Sequence, residues 1–208
     1  MKATLALVIA LLVLVVGCED LAAPNRTPRY LADLAGETFH WPPDRLPVRY
    51  YADPRGAMPA LISRGLRVWE SQFLYGEFKG VFVADSNLAD VIVRWQDNVP
   101  PDVPPDTAGA LGACDGLTTY VIDSTHAITD PLRVQLRVRL GFTTAQVAAC
   151  LARVANHELG HSLGILTHSP AGSDLMFGTP GTATPTDRDR NTAQVLYHTP
   201  ATLTPPPR

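Results

Sequence analysis

The chain has 208 residues, enough for one compact domain with a leader and a tail. Apolar residues make up 46% and charged residues 18%, which supports a globular core and argues against a disordered chain. A formal net charge of −3 without a basic patch excludes the usual nucleic-acid binder.

Residues 1–17 (MKATLALVIALLVLVVG) place one Lys before an apolar run that is short for a spanning helix. This is the pattern of an export signal. The run ends at Val15-Val16-Gly17-Cys18, which resembles the lipobox of bacterial lipoproteins. That resemblance implies cleavage before Cys18, lipidation of Cys18, and a membrane-anchored protein on the extracytoplasmic side. The alternatives are a secreted chain cut near Gly17 or Ala22–Ala23, with Cys18 incidental, and an uncleaved membrane anchor. Cys114 and Cys150 then remain as an even pair in an exported chain, where disulfides persist. They are either a bridge or two separate buried thiols, because sequence gives no Cα separation.

Residues 18–42 lack periodicity and read as a tether. Residues 46–52 alternate as a strand. In 57–74 (AMPALISRGLRVWESQFL), Leu61, Ile62, Leu66, Val68, Trp69 and Phe73 recur near helical spacing and predict an amphipathic helix. Phe82-Val83 and Val91–Trp95 read as strands with a turn at Asp85–Asn87. Residues 97–107 (DNVPPDVPPDT) form a Pro- and Asp-rich loop. Strands are predicted at 118–123 and 133–139. Thr143 or Thr144 caps a second long helix to Leu163. A Gly/Pro/Ser/Thr-rich stretch leads to a last helix near 186–197, capped by Thr186 or Asp187. Residues 199–208 read as a loose Pro-rich end. The order of elements predicts an α/β (α+β) domain: a twisted mixed sheet packed with three helices.

The chemistry concentrates in Asn156-His157-Glu158-Leu159-Gly160-His161-Ser162-Leu163-Gly164-Ile165-Leu166-Thr167-His168-Ser169. His157 and His161 stand at i and i+4 and project from one helix face, close enough to hold one metal ion. Glu158 lies one residue round the helix, where a carboxylate can deprotonate a water beside the metal without ligating it. Gly160 leaves room for another element to pack closely. Gly164 suits a left-handed turn that ends the helix. His168 then follows as a third nitrogen ligand, and three histidines with an open water position make a catalytic zinc site.

This stretch resembles the extended zinc motif of metzincins, HExxHxxGxxH, and is most similar to matrixin-type catalytic domains. Ser169 after the third His and Asp174-Leu175-Met176-Phe177 continue the likeness, with Met176 as the methionine of the Met-turn. The likeness covers about 43–198. It implies a zinc-dependent endopeptidase acting on protein or peptide substrates, with His157, His161 and His168 on one Zn2+, Glu158 as general base, and a monomeric zincin-like fold. It also implies that 118–123 supplies a sheet edge for an extended substrate. Calcium (Ca2+), common in matrixin-like domains, has a candidate site in the loop bearing Asp97, Asp102 and Asp106.

Two departures stand out. The pattern has two residues between the Gly and the third His, whereas here Ile165, Leu166 and Thr167 intervene. Thr167 occupies the ligand position and His168 lies one beyond; imidazole is the better zinc ligand, so a one-residue bulge is expected. The pro-segment cysteine that keeps matrixins latent has no counterpart, so no cysteine-switch latency is expected. An alternative function is a zinc-containing binding or adhesion module without turnover. His40, His126 and His198 follow no ligand pattern, and Tyr197 reads as a packing residue.

Overall fold

The structure is a computed structural model that describes residues 27–96 and 112–208. The leader, Cys18 and the Asp97–Asp106 loop lie outside the described residues. Five strands, β1 (Val48–Ala52), β2 (Gly80–Phe82), β3 (Val91–Trp95), β4 (Cys114–Thr119) and β5 (Leu132–Val138), form one sheet in the order β2-β1-β3-β5-β4. β1, β2, β3 and β5 are parallel, and β4 joins β5 antiparallel as an edge strand. Among the described residues three α-helices, α1 (Met58–Glu70), α2 (Thr144–Leu163) and α3 (Asp187–Tyr197), complete a mixed α/β fold.

The elements follow from their sequences. In β1 the alternation buries Val48 and Tyr50, while β3, interior to the sheet, buries Val91, Ile92 and Val93 in succession. Helix α1 buries Met58, Ile62, Leu66 and Trp69, three or four residues apart, on the face turned to α2. Gly65 lets the two helices approach closely, since a Cβ there would collide with Leu159 Cδ1 and lie 2.5 Å from Asn156 Oδ1. Helix α2 starts with a capping box between Thr143 and Gln146, and α3 starts with one between Thr186 and Asp189.

The structure departs from the sequence reading at three places. The edge strand runs over Cys114–Thr119 rather than 118–123. Pairing with β5 reaches back to Cys114↔Val138 despite the Asp and Gly in Cys-Asp-Gly, and it stops at Thr119↔Arg133. Beyond it, Asp123 Oδ1 accepts from Thr125 N (2.8 Å) and Ala127 N (3.1 Å), which turns the chain.

The expected tether packs into the domain from Tyr30 onward: Tyr30, Ala32, Phe39 and Trp41 are buried. The expected loose end packs as well. Leu203 is buried, Ile128 N donates to Thr204 O at 3.0 Å, and the Arg208 guanidinium reaches the buried Asp90 carboxylate at 3.1 Å. Both segments bind surfaces that exist only once the sheet and helices are assembled. No helix among the described residues is long and apolar enough to cross a membrane.

Candidate metal centre

Helix α2 carries the site, and its C-terminal end is held from several sides. The Trp69 indole donates to Asn156 O at 2.8 Å, the Trp41 indole to Ser162 O at 2.8 Å, and the Tyr197 hydroxyl to Leu163 O at 3.1 Å. Two of these acceptors lie in the last turn, where helical carbonyls otherwise lack partners. Tyr197 therefore packs as expected of it, with its ring also 4.9 Å from that of Phe73.

Gly164 ends the helix at φ 118°. Its N–H donates to His161 O at 3.0 Å and the Ile165 N–H to Gly160 O at 3.2 Å, the paired bonds of a Schellman turn. A side chain at Gly164 is excluded twice, by the positive φ and because a Cβ would strike Phe39 O.

The chain then runs beside the N-terminal segment. Leu166 N donates to Ala32 O at 2.8 Å, and Thr167 Oγ1 donates to Leu31 O at 2.7 Å. The extra residue of the motif is thus spent on this contact: Thr167 faces the N-terminal segment and His168 joins the other two histidines. Ring centroids of His157, His161 and His168 are separated by 4.7, 5.1 and 5.1 Å. One nitrogen from each lies within 4.8 Å of the others.

The hydrogen bonds orient these rings. His157 Nδ1 bonds Leu175 O at 2.7 Å and His161 Nδ1 bonds Ile165 O at 2.6 Å. A carbonyl only accepts, so each Nδ1 carries the proton and each Nε2 presents a lone pair. The two Nε2 atoms face one another at 3.0 Å, an arrangement of two acceptors that a shared cation satisfies. Burial pushes the His157 imidazole down to about 4 and holds His161 well below its ordinary value, so both are neutral near pH 7. The nitrogens of the three imidazoles converge closely enough to hold one metal ion, and this donor set fits zinc.

A buried turn lies beneath the triad. Met176 is fully buried, its thioether against Gly160, where a Cβ would also meet Trp69 Cζ2 at 2.7 Å. Asp189 anchors this turn: its carboxylate accepts from Leu175 N (2.9 Å), Met176 N (3.3 Å) and the Tyr30 hydroxyl (2.7 Å). Asp174, fully buried, accepts from Ser169 Oγ, from Thr186 Oγ1 at 2.9 Å and from Arg188 Nε at 2.9 Å. One hydrogen-bonded unit therefore joins the stretch after His168 to the start of α3 and to Tyr30.

Glu158 lies beside the triad and is 5% exposed. Burial raises its carboxyl to about 7, against a lowering hydrogen bond from Thr118 Oγ1 at 2.7 Å. His157, His161, His168 and Glu158 line one cavity of about 230 Å³, with Gly116, Thr118 and Tyr120 of the edge-strand segment on one side and Gly178 and Pro180 on another.

Sequence reading missed Thr118, Gly116 and Asp189. Only Asp189 carried a local signal, as the third residue after the Thr186 cap. Cys114 and Cys150 form a disulfide with a Cα separation of 5.9 Å. The other histidines sit apart from the site: His40 bonds Thr199 O at 2.9 Å, His126 pairs with Glu37 at 2.5 Å, and His198 lies 3.4 Å from Glu77. No family model matches this chain, and no curated protein matches it.

Proposed function

We propose that this chain is a zinc-dependent endopeptidase of the metzincin type, similar to matrixin catalytic domains, exported and anchored through lipid on Cys18. The observation that carries the reading is the convergence of His157, His161 and His168 on one point in the cavity that also holds the Glu158 carboxylate. The metzincin reading of the fold draws further support from the left-handed turn at Gly164, from Met176 packed against Gly160, and from the antiparallel edge strand β4.

His157, His161 and His168 would hold the zinc, which when bound would supply Lewis-acid activation of water and of the scissile carbonyl. Glu158 would act as the base that takes a proton from the attacking water and as the acid that delivers it to the leaving amine. Burial raises this carboxyl, which favours the protonated form it needs when it returns the proton. Leu175 O and Ile165 O keep His157 and His161 in the tautomer that ligates through Nε2. The outer edge of β4 offers backbone N–H and C=O groups to an extended peptide, which gives affinity without demanding a particular side chain.

The test is casein cleavage by the purified, zinc-loaded chain, with and without chelator, alongside Glu158→Gln. The reading expects chelator-sensitive cleavage, and a variant that keeps zinc but loses at least about a thousandfold in turnover. Undiminished turnover in Glu158→Gln rejects the mechanism. Tight zinc binding with no cleavage by the wild type favours a binding module built on the same site.

A further inference from the structure

The edge strand and the site helix are matched residue for residue. Cys114, Gly116 and Thr118 alternate onto one face of β4, while Cys150, Val154 and Glu158 lie four apart along α2. Two residues of strand advance about 6.6 Å and four residues of helix about 6 Å, so the two series stay in step. Contacts at each of the three steps join them. The first is the Cys114–Cys150 disulfide. The second is Gly116, where a Cβ would lie 2.6 Å from both Val154 Cγ1 and Glu158 Cγ. The third is the Thr118 hydroxyl, which donates to Glu158 Oε2 at 2.7 Å and stands 3.2 Å from Glu158 O.

We propose that Thr118 is the positioning residue of Glu158, its hydroxyl fixing the carboxylate beside the histidine triad while the disulfide and Gly116 set the register that brings it there. This rests on the peptidase reading of the site. A Glu side chain has three rotatable torsions, and Gly116 gives it contact but no polar anchor. The Thr118 hydroxyl is the donor that the structure gives the carboxylate. The contact arises only in this register, because moving β4 by one residue turns Thr118 to the opposite face of the sheet. The edge strand thus has two uses. Its outer edge pairs with no further strand among the described residues, and its inner face holds the base. Thr118 works through Glu158.

Two substitutions separate the hydroxyl from the bulk of the side chain. Thr118→Val keeps the shape and removes the donor, and Thr118→Ser keeps the donor and removes the methyl. Each zinc-loaded variant and the wild type are assayed for kcat and KM on a casein-derived peptide and for zinc affinity by chelator competition. Crystal structures then locate the Glu158 carboxylate. The proposal expects Thr118→Val to lose about 10- to 100-fold in kcat, the scale of a reacting group displaced by about an ångström. KM and zinc affinity stay at wild-type values, the carboxylate leaves its wild-type position, and Thr118→Ser behaves as wild type.

Wild-type kcat in Thr118→Val with Glu158 in place overturns the proposal. So does an equal loss in Thr118→Ser, which assigns the effect to packing. If the wild type binds zinc and cleaves nothing, the peptidase reading fails by itself. The position of Glu158 in the Thr118→Val crystals still decides the positioning claim.

Discussion

Removing the Cys114–Cys150 bridge tests how strongly the edge strand is tied to the site helix. The bridge spans a sequence separation of 36 residues. The loop-entropy relation for that length gives about 13 cal/mol/K, or about 4 kcal/mol at 25 °C. Both cysteines are almost fully buried, so a double Cys114→Ala, Cys150→Ala variant also loses a little packing. The assay is urea unfolding with chelator present throughout, so that metal binding adds nothing to stability. With a slope near 2 kcal/mol per molar urea, the midpoint of the double variant falls by about 2 M. A reductant lowers the wild type by a similar amount and leaves the variant unchanged. A midpoint shift below about 0.5 M, or a variant that still responds to reductant, refutes the reasoning, because the bridge would then constrain little of the unfolded chain.

Three further outcomes follow from the geometry. His168→Ala removes a converging nitrogen and lowers zinc affinity by more than about a hundredfold, beyond the usual cost of altering a supporting group. Thr167→Ala loses only the bond to Leu31 O and keeps affinity within about tenfold, and chelator competition measures both. Gly160→Ala forces a methyl onto Met176 and Trp69, which costs about 1–3 kcal/mol by overpacking, partly offset by about 1 kcal/mol of helix propensity. Chemical denaturation reads the net loss, and a stabilised variant would show that the contact at Gly160 is loose.

Sequence alone determined what depends on near neighbours along the chain. The His157–His161 pair follows from helical periodicity. The start of α2 at the Thr143 cap and its end at Gly164 follow from capping and from the freedom of Gly at positive φ. The strand at Val91–Trp95 was legible because an interior parallel strand is a continuous apolar run.

The tertiary structure decided what depends on partners far along the chain. His168 completes the triad because Thr167 and Leu166 are bonded to Leu31 and Ala32, more than 130 positions away. Thr118, the first residue of the strand predicted at 118–123, meets Glu158 across 40 positions through a register set by β4 pairing and the disulfide. Residues 30–41 and 199–208 show no helical or strand period to read. Tyr30, Phe39 and Leu203 are buried because the assembled fold presents surfaces for them. Local backbone preference is written in neighbouring residues, whereas burial and long-range hydrogen bonds become defined only when the chain has closed on itself.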